Sequence, residues 1–108
     1  MTLSTHVLDI AAGKPASGIV VRVEAFEGDG WRPIGMGTTD GDGRIVDLLG
    51  DEGLSRGEYR LTFEVGPYLG PDAFYPEVAV VIRIEESSEH HHIPLLLGPY
   101  GYTTYRGS

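Results

Sequence analysis

Apolar and polar residues alternate with a period of two along much of this 108-residue chain, the spacing of strands buried on one face only. From Ile19 to Phe26, Ile19, Val21, Val23 and Ala25 share one face while Arg22 and Glu24 share the other. Tyr59 to Val65 alternates more strictly, with Tyr59, Leu61, Phe63 and Val65 inward and Arg60, Thr62 and Glu64 outward. Leu3 to Ile10 alternates loosely, carries β-branched Thr5, Val7 and Ile10 together with His6, and stops at Ala11-Ala12-Gly13-Lys14-Pro15. Two more strands follow the same logic. Trp31 to Thr39 resumes after a Glu27-Gly28-Asp29-Gly30 turn, and Val78 to Ile84 lies between Pro76 and Glu85-Glu86-Ser87-Ser88.

The last segment breaks the alternation. Ile93 to Leu97 has no polar residue at alternate positions, so a strand built from it hides both faces and calls for a second protein surface as cover. Pro94 has no N–H to give to a ladder, which predicts a strand edge or a bulge at that point. Gly98-Pro99-Tyr100-Gly101 is a turn by composition, and Tyr102 to Arg106 returns as a closing strand rich in Thr and Tyr.

The connections are short. Thr39-Asp40-Gly41-Asp42-Gly43 gathers residues that accept positive φ or bond their own backbone, so it forms a tight turn with Arg44 directly after it. Asp51 to Gly57 is polar and turn-rich. Gly66 to Ala73 is the one place for a helix, and Pro67, Gly70 and Pro71 limit it to a turn or two. Seven to eight strands, at most one short helix and no internal repeat describe an all-β chain folded as an antiparallel β-sandwich.

Composition narrows the function classes. A length of 108 residues suits one domain, residues 1–108, that buries roughly two-thirds of its unfolded surface. Eight basic against 16 acidic residues give a formal charge of -8, which opposes phosphate backbones and anionic lipid, so neither nucleic acid nor membrane is expected as a partner. The absence of Cys removes disulfides, zinc thiolate sites and a cysteine nucleophile. No apolar run is long enough to span a membrane, and Met1 to His6 lacks the basic start and apolar core of a signal peptide, so a cytoplasmic location is expected.

Four features carry candidate chemistry: His6, Arg44, the His90-His91-His92 run and Tyr105. Each has an ordinary explanation as well, since a lone strand His, an Arg after a turn and a terminal Tyr are usually surface or anchoring residues. Imidazole suits zinc, copper and nickel. On a strand, however, positions 90 and 92 face one side and 91 the other, so the run offers at most two ligands to one metal. His90 and His91 are expected as a polar patch at a strand start. His92, against the apolar run, is the one expected to be buried and perturbed.

Five blocks in order, Leu3-Ser4-Thr5-His6-Val7-Leu8-Asp9, Thr39-Asp40-Gly41-Asp42-Gly43-Arg44, Phe74-Tyr75-Pro76-Glu77-Val78, His92-Ile93-Pro94-Leu95-Leu96-Leu97 and Tyr105-Arg106-Gly107-Ser108, resemble the 5-hydroxyisourate hydrolases, transthyretin-related proteins of purine catabolism. The closing Tyr-Arg-Gly-Ser is the most specific block, because it separates the hydrolases from the hormone carrier of the same fold. The resemblance implies a transthyretin-like sandwich assembled as a homotetramer, a dimer of dimers with sites in a central channel. It also implies hydrolysis of 5-hydroxyisourate without metal or cofactor, with the family's histidines on His6 and His92, its arginine on Arg44 and its terminal tyrosine on Tyr105. Ser108 would lie close by if the tail lines the site. Gly98 and Thr103 stand where the family often has Ser, and His91 where it usually has an aromatic, so His91 is expected at the surface.

Residue chemistry fits such roles. Imidazole titrates near neutral pH, so His6 or His92 can take a proton from attacking water. The guanidinium of Arg44 offers a planar fork to a carbonyl-rich ring and to the oxyanion formed on it. Tyr105 and Ser108 can hydrogen-bond the substrate. A carrier that binds a small aromatic ligand in the same channel without chemistry is the alternative, and it has no need of a proton acceptor beside a guanidinium.

Overall fold

The structure, a computed structural model, describes residues 2–108. Seven strands of three or more residues are β1 (Leu3–Asp9), β3 (Val20–Glu27), β4 (Gly30–Thr38), β6 (Gly57–Glu64), β7 (Val78–Ile84), β8 (His91–Leu97) and β9 (Tyr102–Thr104). Two-residue strands β2 (Lys14–Pro15) and β5 (Arg44–Ile45) and a single-turn helix α1 (Gly66–Leu69) complete the set. Both short strands escape a pattern search because two residues cannot show a period.

The strands form two sheets, one ordered β2-β1-β8-β9 with β5 also on β1, the other β4-β3-β6-β7. Every ladder is antiparallel except β1 with β8, which runs parallel from Leu3↔His91 to Asp9↔Leu97. The alternating faces read from sequence meet between the sheets: Val21, Val23, Leu61, Phe63 and Val65 are fully buried against Leu3, Val7 and Leu95. Thr62, placed on the outward face by the alternation, is also covered, at 5% exposure, because β6 has a neighbour on each side.

Three expectations are corrected. Pro94 is neither at an edge strand nor at a bulge but inside β8, between β1 and β9. The carbonyls of His92 and Pro94 point away from β1, accepting from Gly107 N–H (2.8 Å) and Thr104 Oγ1 (2.7 Å). The missing N–H therefore lies on the side where the β8–β9 ladder has already ended at Leu95↔Thr104, and no ladder bond is lost. For the same reason β9 stops at Thr104 instead of running to Arg106. Finally, His91 is buried, 5% exposed, because its position on β8 turns it inward with Ile93 and Leu95.

Thr39 locks the turn region to the core. Its Oγ1 donates to Ala16 O (2.8 Å) and accepts from Ile19 N–H (2.9 Å), at 3% exposure. Thr39→Val keeps the shape and leaves both backbone groups unpaired, so urea denaturation should show a loss of about 1–3 kcal/mol; an unchanged midpoint would contradict the assignment.

Candidate active site

The register of β1 against its neighbours assembles the site. On β1, Ser4 and His6 face outward from the sandwich, since Leu3, Thr5 and Val7 between them are buried. The parallel ladder sets Ser4 beside His92 and His6 beside Pro94, and the β5 ladder sets His6 beside Arg44. Residues 6, 44 and 92, far apart in the chain, thus share one sheet face.

The turn before β5 is built to hold Arg44 there. Asp40 Oδ1 accepts from the backbone N–H of Asp42 (2.9 Å) and of Arg44 (3.0 Å), and Gly43 N–H returns to Asp40 O. Those two backbone donors, helped by the Arg44 and His6 charges, hold the Asp40 carboxyl below the usual carboxylate range. Gly43 has φ +75, and a Cβ there would lie 2.4 Å from Val7 O, the carbonyl of the strand it docks on. Only glycine fits that conformation in that space.

His6 closes the turn from the other side. Its Nε2 lies 2.9 Å from Asp42 O, and a carbonyl can only accept, so Nε2 carries a hydrogen and donates it. Arg44 itself is exposed. None of the seven ion pairs among the described residues uses its guanidinium, which leaves the fork open to a ligand.

Ser4, Arg44, Val46, His90, His92 and Ser108 line a hollow of about 280 Å³ on this face. His92 is half-buried and its Nδ1 is 2.8 Å from Ser4 Oγ, leaving Nε2 as the nitrogen not engaged by that hydroxyl. Burial, then the nearby charges of His6, His90 and Arg44, push its pKa below the ordinary histidine value. The tail reaches the same place: Gly107 donates to His92 O, and a Cβ on Gly107 would stand 2.5 Å from His92 Cδ2 and 3.1 Å from Pro94 Cγ. At Pro94, then, part of the cover expected from a second protein surface is the chain's own C-terminal segment.

The structure brings Arg44, His92 and Ser108 into one hollow, with His6 as the neighbour that clamps the Arg44 turn. Tyr105 is not among them. It is 56% exposed and lines a separate groove of about 270 Å³ with Val80, Ile82, His91 and Ile93, on the other side of β8 from His92. Sequence reasoning passed over Ser4 and Val46 and treated His90 as a surface patch. The period of two held the signal for all three, since Ser4 shares a face with His6, Val46 with Arg44 and His90 with His92. Among the described residues no three His, Cys, Asp or Glu side chains gather as a metal would require, and no helix is long and apolar enough to cross a membrane.

Comparison with known proteins agrees with this architecture. The profile described as the HIUase/Transthyretin family matches residues 3–107. The 5-hydroxyisourate hydrolase of Salmonella typhimurium is 45% identical over 98% of this chain and 80% of its own length, and that of Mus musculus is 41% identical over 98% and 94%. The structure of Klebsiella pneumoniae 5-hydroxyisourate hydrolase superposes with a TM-score of 0.86 at 35% identity, covering 99% of this chain and 98% of that one. Sea bream transthyretin in complex with thyroxine does so with a TM-score of 0.90 at 31% identity, covering 99% and 95%. With a sandwich of this topology and a family match along nearly its whole length, the chain belongs to the HIUase/Transthyretin family.

Proposed function

We propose that this protein is a 5-hydroxyisourate hydrolase of urate degradation, acting as a single hydrolase domain over residues 1–108. The observation that carries the reading is the joint presence, in one hollow, of an unpaired guanidinium and an imidazole biased toward its neutral form. Relatives at 41–45% identity bear that name. Water adds to a ring carbonyl of the planar substrate as His92 accepts its proton, Arg44 stabilises the oxyanion, and the C–N bond opens to give 2-oxo-4-hydroxy-4-carboxy-5-ureidoimidazoline. His6 holds the Arg44 turn by donating to Asp42 O, and Ser108 adds a hydroxyl at the rim. Tyr105 is left out of this set because it lies in the other groove.

The assembly we propose is a homotetramer, a dimer of dimers, in the cytoplasm. Its support is apolar surface left open on this sheet: Val46, 74% exposed, lines the hollow, and Ile10 (61%) and Tyr100 (79%) stand beyond the other end of the β1–β8 ladder; a neighbouring subunit would cover such surface and narrow the open hollow into a channel. The carrier reading draws on the fold shared with transthyretin. It gives no role to a proton acceptor beside Arg44, and so it is the weaker of the two.

In the direct test, freshly generated 5-hydroxyisourate is followed by its ultraviolet absorbance with and without the protein. Decay should be accelerated, and Arg44→Ala should lower kcat/KM by about 10²- to 10³-fold with the oligomer intact; an equal rate in the variant removes the assignment. Because the folded pKa of His92 is lowered, the active neutral form persists below the ordinary value of about 6.5, and the acid limb of kcat/KM should have its midpoint under that value. The same shift sets the sign of the stability effect. The unfolded chain takes up a proton that the folded one refuses, so stability falls as pH drops through about 6.5 and is unaffected above it. An acid limb centred above that value would contradict His92 as the base. Added chelator should leave the rate unchanged, whereas a loss restored by zinc would overturn the metal-free mechanism.

A further inference from the structure

Ser4 and His90 line the hollow beside His92 and have no part in the proposed attack on the substrate, yet they form a continuous chain with it. Ser4 Oγ stands 2.8 Å from His92 Nδ1 and 3.0 Å from His90 Nε2, and the other nitrogen of His90, Nδ1, is hydrogen-bonded to Thr2 Oγ1. The two rings lie nearly parallel, 17° apart with centroids at 6.5 Å, with His90 directly before β8 and His92 on it. Ser4 is 7% exposed, so its hydroxyl meets little water, whereas His90 is exposed. We propose that Ser4 and His90 are positioning residues that form a proton relay, through which the proton taken up by His92 passes to the solvent-facing His90.

A hydroxyl has one hydrogen, so Ser4 donates to one ring and accepts from the other. The chain therefore has two polarities, and each fixes the tautomers of both histidines at once. In the reactive polarity His92 carries its hydrogen on Nδ1 and donates it to Ser4 Oγ, Ser4 donates to His90 Nε2, and His90 Nδ1–H donates to Thr2 Oγ1. The Nε2 lone pair of His92 then faces the attacking water. As Nε2 takes the water's proton, Nδ1–H passes to Ser4 Oγ and the Ser4 hydroxyl proton passes to His90 Nε2. His92 ends neutral with its hydrogen on Nε2, His90 ends as the cation, and the negative charge sits on the substrate oxygen beside Arg44. When the C–N bond breaks, the reverse transfer returns one proton to the leaving nitrogen, and the count closes.

The surroundings favour this destination for the charge. His92 is partly buried and faces His6 from β1, Arg44 from β5 and His90 from the residue before β8, so a lasting positive charge on its ring is disfavoured. A charge held on exposed His90 is solvated.

The inference rests on His92 being the base of the proposed hydrolysis. Ser4→Ala breaks the chain, and kcat should fall roughly 10- to 100-fold, the loss typical when the outer hydrogen-bond partner of a functional (there metal-bound) histidine is removed, with KM nearly constant. Ser4→Thr, which keeps a hydroxyl, should recover most of that loss. His90→Gln, at an exposed position, still bonds Ser4 but cannot hold the charge, and it should reproduce the fall in kcat. Full kcat in Ser4→Ala or in His90→Gln overturns the relay. Ring ¹⁵N shifts of the two histidines give a readout independent of turnover: in the wild type, titrating one ring should move the shifts of the other, and Ser4→Ala should uncouple them. Independent titration in the wild type contradicts the relay even if hydrolysis is confirmed, whereas coupled titration in a protein without hydrolase activity sinks the functional reading and leaves the relay standing.

Discussion

The parallel ladder between β1 and β8 is the constraint on which the rest depends. It is the one parallel pairing among the described residues, and its seven rungs join the first and last thirds of the chain. Strand side chains alternate, so a slip of one residue would turn Leu3 and Val7 away from the core and point Ser4 and His6 into it. The burial of Leu3, Val7, Ile93, Leu95 and Leu97 therefore fixes more than stability. By pinning the inner face, it dictates which polar residues meet on the outer one.

What the outer face does with those residues is set by electrostatics. Arg44 is held at the edge of β1 by a turn whose organising carboxylate, Asp40, binds backbone N–H groups rather than the guanidinium. The cation stays uncommitted. Close by, His92 is pressed toward neutrality by burial and by cationic neighbours. In the proposed hydrolysis this combination serves both ends of the attack, since an imidazole that resists protonation can accept the proton of water while the fixed cation meets the oxyanion. The tail adds shape, with Gly107 packed against the His92 ring because nothing larger fits.

Much of this was legible in the sequence, and the limits have physical causes. The period-two faces of Ile19–Phe26 and Tyr59–Val65 gave the core, since each residue's partner is the layer opposite and any apolar side chain will serve. His6, Arg44 and His92 stand out from the strand pattern as candidates, and a family resemblance supplies their roles. That they share a face, however, depends on a parallel register that nothing local encodes. Pro94 misled because an absent N–H matters only if a partner waits for it, and whether one waits is decided by where β9 stops. His91 misled because a polar residue at a strand start was read as exposed, when its neighbour Ile93 had already settled which way odd positions face. The tail motif points Tyr105 toward the site, yet its ring lines the groove of Val80 to Ile84 with His91 and Ile93, on the other side of β8 from His92.

Binding of a stable planar analogue reports most directly on whether this face is the site. Urate, titrated into ¹⁵N-labelled protein, should shift the resonances of Ser4, Arg44, His92 and Gly107 together and leave Val80 to Ile84 unmoved. Shifts confined to the groove of Val80 to Ile84 and Tyr105, with the His92 face silent, would contradict the account.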